Sequence, residues 1–186
     1  RKEDWYRLHL ETNRRDPLIG RILNQIWGED TAVPEPAFTS TAFPYGGSYV
    51  LRNGWKPGSH YLYFIAARNG RGHKDNCGNA VILEAFGRKL LVDSGTYRVL
   101  EPFPEAADKR RYLTSSFAHN TISVDGNSQN REDAPMATGF RDTIPARWLS
   151  SDEFDFTEGW YPYGYGTTTD VTHRRQIFFL RTSGLY

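Results

Sequence analysis

The sequence predicts a mainly β protein: an antiparallel β-sandwich preceded by a short helical segment. Three observations lead there. Beyond residue 37 the apolar side chains recur with a period of two, the mark of strands with one buried face. The alternating stretches are short and separated by turn sequences, among them Arg52-Asn53-Gly54, Asn69-Gly70, Phe86-Gly87-Arg88 and Asp125-Gly126-Asn127. Aromatic residues, which fit a pleated and half-buried surface, make up 15% of the 186 residues. Many short strands joined by such turns form sandwiches more readily than any mixed architecture.

The elements follow in chain order. Residues 4 to 27 carry a helical pattern, with Trp5, Leu8 and His9 on one face and Ile19, Ile22, Leu23 and Ile26 on the next. Asp16-Pro17 interrupts it, so two helices or one kinked helix are expected. Residues 28 to 37 contain two prolines and no periodicity, and read as a linker. The expected organisation is therefore a helical segment and linker over 1–36 and a β-sandwich over 37–186, truncated at its C-terminal side. Strands are predicted at 38–43, 48–52, 61–67, 80–86, 89–92, 121–125, 146–149, 154–160 and 171–180. The charged connection from Arg98 to Ser116, with Pro102 and Pro104, is too long for a tight hairpin and reads as a functional loop.

Composition narrows the function. A net charge of +1 gives no global steering toward a polyanion, so nucleic acid is not an expected partner. An acidic partner would have to be met by local clusters such as Arg68/Arg71, Lys109-Arg110-Arg111 or Arg174-Arg175. Eleven Tyr and five Trp in a chain of mean hydropathy −0.64 suit a protein that handles sugars, and equally suit ordinary strands. One cysteine, Cys77, excludes an internal disulfide. No apolar stretch is long enough to cross a membrane, and no signal pattern opens the chain, which reads as a piece excised from a longer protein.

The residues that bear chemistry lie at predicted strand edges. In Gly72-His73-Lys74-Asp75, alternate residues His73 and Asp75 project to one side if the segment is extended. Asp93 closes the apolar run Leu90-Leu91-Val92, and His119 opens the next predicted strand. One histidine and two carboxylates form a nitrogen–oxygen set suited to zinc or a similar divalent metal. Spacing alone leaves the plainer alternative open, because His-x-Asp also occurs as a surface or capping pair and Asp-Ser-Gly turns the chain in any protein. His9 and His60 read as structural, and Cys77 has no cysteine partner that would suggest a nucleophilic pair.

Taken in order, Gly46-Gly47-Ser48-Tyr49, Arg52-Asn53-Gly54-Trp55, Gly72-His73, Ala85-Phe86-Gly87-Arg88, Leu90 through Tyr97, and Ser116-Phe117-Ala118-His119-Asn120-Thr121 resemble the C-terminal β-domain of heparinase II/III-like polysaccharide lyases. The resemblance spans roughly residues 38 to 180. It implies that the helical segment is the end of an upstream α/α-toroid domain of the same protein. It also implies that His73 matches a catalytic histidine, that Asp93 and His119 match metal ligands, and that Asp75 stands where many members carry a second histidine. Such lyases cleave a uronic acid by β-elimination. On that basis His73, Tyr97 and Tyr112 are candidates for catalysis, Arg71, Arg111 and Asn120 for contact with an acidic polysaccharide, and Asp75, Asp93 and His119 for zinc. The substrate expected is of glycosaminoglycan or alginate type, and the location periplasmic or secreted. His173, in Thr172-His173-Arg174-Arg175, resembles a recurring strand motif of the same domain, with a role either in packing or in supporting the site residues from behind. The rival reading is a non-catalytic glycan-binding or scaffold domain with a structural metal. A hydrolase would need facing carboxylates, for which only Asp75 and Asp93 are available.

Overall fold

The computed structural model describes residues 36–66, 75–95, 106–130 and 146–182. The helical segment predicted for residues 4 to 27 lies outside them. The residues from Phe38 onward belong to one compact unit, Phe38–Tyr186.

Among the described residues, eight antiparallel strands form two sheets. The first has the order β1 (Thr41–Phe43), β2 (Ser48–Arg52), β3 (Tyr61–Ile65), β4 (Ala80–Ala85) and β5 (Arg88–Leu91), each strand beside its neighbour in sequence. The second comprises β6 (Ala146–Ser150), β7 (Phe154–Tyr161) and β8 (His173–Leu180). The fold is therefore mainly β and antiparallel, as the period-two pattern requires.

Register explains the core. Tyr49 lies opposite Phe64, and Leu51 opposite Leu62, so the alternate positions of β2 and β3 bring four large side chains onto one face. Those four are essentially buried and meet Ile177 and Phe179 of β8, with Trp148 of β6 packed against them. The Tyr49 ring stands 5.8 Å from Trp148 and 6.1 Å from Phe64. Close approach of the sheets also needs Gly159 in β7, where a Cβ would come within 2.8 Å of Phe64 Cζ. A polar latch joins the sheets at one end. The buried Asp155 carboxylate accepts hydrogen bonds from Ser40 Oγ (2.5 Å), Ser150 Oγ (2.7 Å) and Arg181 Nη2 (2.6 Å).

Three elements depart from the sequence reading, each for a local reason. The first strand begins at Thr41 and not at 38, because the Ser40 hydroxyl takes the Arg52 amide (3.0 Å) that a backbone carbonyl would otherwise accept. Residues 121–125 form no strand. Val124 and Asn127 instead exchange backbone hydrogen bonds around Asp125-Gly126, whose φ values of 50° and 70° make a tight primed turn. The stretch read as a loop from Arg98 to Ser116 contains helix α1 (Ala106–Leu113), followed by a 3₁₀ turn at Ser116–Ala118. With sequence Ala-Ala-Asp-Lys-Arg-Arg-Tyr-Leu it has no apolar stripe to betray it, and Pro104 just upstream suits a helix entry.

Candidate active site

The strand β5 delivers the chain to Val92 and Asp93, and the 3₁₀ turn delivers it to His119. The two ends are tied side by side: Asn120 Nδ2 donates to the Val92 carbonyl at 2.8 Å. As a result His119 Nδ1 and Asp93 Oδ2 lie 2.6 Å apart, while the other Asp93 oxygen accepts the Gly95 amide at 2.8 Å. A carboxylate can only accept, so Nδ1 carries the proton and the lone pair of the neutral ring resides on Nε2. The His119 side chain is 2% exposed, and among the described residues nothing hydrogen-bonds its Nε2. Asp75 Oδ2 stands 3.9 Å from that nitrogen, too far for a direct hydrogen bond. The imidazole thus lies between two carboxylates, oriented by one and facing the other.

A second set of interactions fixes the loops that carry these groups. Gln129 pairs with Gly78 as a strand would, its Oε1 accepting the Gly78 amide at 2.8 Å and its Nε2 donating to the Gly78 carbonyl at 2.9 Å. Gly78 must lack a side chain, since a Cβ would lie 2.7 Å from Tyr161 Cδ2. The Ser116 hydroxyl donates to the Asn76 carbonyl at 2.7 Å, and the Asn76 amide donates to Thr114 at 2.8 Å. Arg175, on the inner face of β8, donates from Nη1 to the carbonyls of Asn79 and Asn120, each at 2.7 Å. It therefore links the loop after Asp75 to the residue after His119. Burial pushes the Arg175 guanidinium below its ordinary range.

His173, two residues before Arg175, is buried as well. Burial, then the charge of Arg175, lowers its pKa from 6.5 to about 4, so it is neutral at physiological pH. Its backbone carbonyl receives Asn79 Nδ2 at 3.0 Å. This agrees with a packing role.

The other expected site residues are distributed as follows. His73, Arg71 and Tyr97 lie outside the described residues. Asp75, Asp93, His119 and Asn120 are brought together. Tyr112 and Arg111 sit on α1, where Tyr112 is exposed and Arg111 pairs with Asp108 at 3.1 Å, one turn earlier on the helix. Among the described residues no hydrogen bond ties either of them to the Asp93–His119 pair, and no three His, Cys, Asp or Glu side chains form a metal cage. Asp93 occupies the Nδ1 side of the ring and Asp75 the Nε2 side, so the three are in line and do not surround one point. His60 is buried against Phe86, with ring centroids 4.7 Å apart, and reads as structural. Sequence reasoning grouped Arg175 with Arg174 as a cluster for an acidic partner and missed its inward role on the Asn79 and Asn120 carbonyls, and it missed Gln129 and Asn79. A signal existed for Arg175: period two places it on the same face of β8 as Ile177 and Phe179, a charged residue in the core phase of a strand.

Residues 35–185 match the family described as heparinase II/III-like, C-terminal. The chain belongs to this family. No curated protein sequence matches it. Among solved structures, it is similar to a heparinase III gene product at 20% identity, TM-score 0.66, covering 94% of this chain and 26% of that one. It is also similar to heparan sulfate lyase HepC from Pedobacter heparinus at 19% identity, TM-score 0.60, covering 96% of this chain and 25% of that one. A third, titled heparinase III, gives 22% identity, TM-score 0.58 and coverages of 83% and 22%. These likenesses establish the fold. The chain spans about a quarter of the length of the structures it matches. In this heparinase II/III-like domain, no helix among the described residues is long and apolar enough to cross a membrane.

Proposed function

We propose that this chain is the β-sandwich part of a polysaccharide lyase that cleaves uronic-acid-containing polysaccharide by β-elimination, acting in the periplasm or outside the cell. The observation that carries the reading is the Asp93–His119 pair, whose buried Nε2 has no hydrogen-bond partner among the described residues, in a chain of the heparinase II/III-like family. Structures named heparinase III and heparan sulfate lyase share the fold, which favours a glycosaminoglycan over an alginate-type polymer.

In β-elimination a base removes the proton on C5 of the uronate, the C4–O bond breaks, a C4=C5 double bond forms, and the departing oxygen takes a proton. The C5 proton is acidic enough only when the neighbouring carboxylate is neutralised or hydrogen-bonded. His73, two residues before Asp75, is assigned to proton transfer, with Tyr97 or Tyr112 as the phenol that protonates the leaving oxygen. Arg71, Arg111 and Asn120 are assigned to the anionic substrate, and the toroid domain upstream supplies the rest of the cleft. A divalent metal fits the donor set in one way: His119 Nε2 and Asp75 Oδ2 would hold it, with Asp93 orienting the imidazole from behind. Bound there, it would supply positive charge to the substrate carboxylate.

The experiment is direct. Full-length protein is incubated with heparan sulfate and, separately, with alginate, and the ultraviolet absorbance of an unsaturated uronate is followed. Absorbance that grows with heparan sulfate supports the proposal. Binding without any chromophore would overturn it in favour of a glycan-binding domain.

A further inference from the structure

The three-stranded sheet has an outer face that the core does not use. On it, register sets Arg147 of β6 opposite Glu158 of β7, Glu158 opposite Gln176 of β8, and Trp160 opposite Arg174. Arg147 and Arg174 therefore approach the middle strand from its two sides. Their guanidinium carbons lie 5.5 and 5.6 Å from the Trp160 ring centroid. Both side chains remain well exposed, at 69% and 50%, whereas Glu158 beneath them is 0% exposed.

Glu158 is covered by its neighbours. Arg174 Nε and Nη2 donate to its Oε2 at 2.7 and 2.5 Å, and Gln176 Nε2 donates to the same oxygen. Oε1 has no hydrogen-bond partner among the described residues, and Arg147 Nε stands 3.8 Å from it. Desolvation pushes this carboxyl up, but the hydrogen bonds of Arg174 and Gln176 and the charges of both arginines outweigh it and hold the pKa below its ordinary value. One buried negative charge thus anchors two exposed positive ones. The indole lies within cation–π range of both guanidiniums, 5.5 and 5.6 Å from its ring centroid, and favours their placement beside it. A solvated ion-pair network would not require an aromatic spacer or a carboxylate sealed from solvent.

We propose that Arg147 and Arg174, organised by Glu158 and Trp160, form a clamp for the anionic groups of an acidic polysaccharide chain, on the sheet face opposite to that carrying Arg175. The inference rests on the proposed substrate class, and names a second contact with that polymer, remote from bond cleavage. The backbones of β6 and β8 are two strand spacings apart, about 10 Å, so guanidiniums rising from them can meet successive charged groups along one polymer chain.

The test uses full-length protein and immobilised heparin, reading the dissociation constant at about 0.1 M salt, where surface charge is only partly screened. R147A/R174A is expected to bind about tenfold more weakly. K56A/R88A, which also removes two positive charges from outside this cluster, is expected to bind within about twofold of the parent. R147A alone, which leaves the Arg174–Glu158 pair intact, guards against loss of fold and should give about threefold weakening, with an unchanged thermal melt. E158Q discriminates further: it makes the face more positive, yet the clamp predicts weaker binding because its anchor is lost. Tighter binding by E158Q, or equal losses in the two double variants, would overturn the clamp and leave unspecific charge attraction. If no unsaturated product forms but R147A/R174A still weakens binding, the clamp stands and the lyase reading falls. If product forms and binding by R147A/R174A is unchanged, the reverse holds.

Discussion

Two buried histidines, His119 and His173, meet opposite electrostatic surroundings. His119 is set between the carboxylates of Asp93 and Asp75; among the described residues its Nε2, like Nδ1 of His173, has no hydrogen-bond partner. His173 faces the cationic Arg175 and is driven neutral. Burial alone therefore says nothing about a role. The charge a histidine faces decides whether proton transfer or ligation is open to it, and only His119 has a carboxylate to stabilise an imidazolium or to orient a lone pair.

Breaking the first environment should have the largest effect. Replacing Asp93 with Asn removes the negative charge and leaves one acceptor oxygen for two N–H donors, those of His119 Nδ1 and Gly95, so the His119 tautomer is no longer fixed. Product formation by the full-length protein should fall by about a hundredfold to a thousandfold, with the melting temperature nearly unchanged. A loss of less than about threefold would mean the pair has no part in turnover.

The link between the two environments comes next. Arg175→Met removes the side-chain donor of the buried Asn79 carbonyl and one of the two donors of the Asn120 carbonyl, which keeps the Val81 amide at 3.3 Å, a cost of about 1 to 3 kcal/mol in denaturant unfolding. Arg175→Lys, which can reach one carbonyl, should recover part of it. Equal stability of all three proteins would show that the guanidinium is not what holds the loops.

The second environment predicts a pH dependence. The folded-state pKa of His173 is lowered from 6.5 to about 4, so the unfolded chain binds a proton that the folded chain refuses. Stability is then full above pH 6.5 and declines as pH falls toward 4, by at most about 3 kcal/mol. In His173→Gln this part of the decline should vanish. An unaltered profile would contradict the assigned surroundings.

A smaller effect tests the turn chemistry. Phe86 and Gly87 both have positive φ, 54° and 70°, in the two-residue turn between β4 and β5. Phenylalanine is unfavourable there and Asn is preferred, but the His60 ring contact offsets part of the difference. Phe86→Asn should change stability by under about 1 kcal/mol, read from the denaturation midpoint. A larger loss would show that the ring contact dominates the turn.

Much of this architecture was legible in the sequence because a sheet packed on one side writes its period into the chain. Ser48 to Arg52 and Tyr61 to Ile65 alternate in burial, with Tyr49, Leu51, Leu62 and Phe64 inward and the polar ends Ser48 and Arg52 of the first strand outward. Helix α1 was not legible, since a solvated helix of eight residues has no apolar face to mark it. The turn at Asp125-Gly126-Asn127 was legible, but Thr121, Ile122 and Val124, which favour strands, suggested a strand over 121–125. Among the described residues no neighbouring strand pairs with them. In the site, Asp93 and His119 could be singled out by type and position at strand ends. Gln129 and Asn79 could not, because side chains that bond to backbone carbonyls and amides leave no pattern of spacing, whereas Arg175 carries a signal as a charged residue in the core phase of β8.

Of the two buried histidines, the proposed lyase function relies on His119 and not on His173. Full-length His119→Gln and His173→Gln should be compared with the parent for unsaturated-uronate formation and for melting temperature on the same samples. The account predicts that His119→Gln loses at least about a hundredfold in turnover and melts near the parent temperature, while His173→Gln keeps most of its turnover and shifts its melt. Turnover retained in His119→Gln and lost in His173→Gln would contradict it.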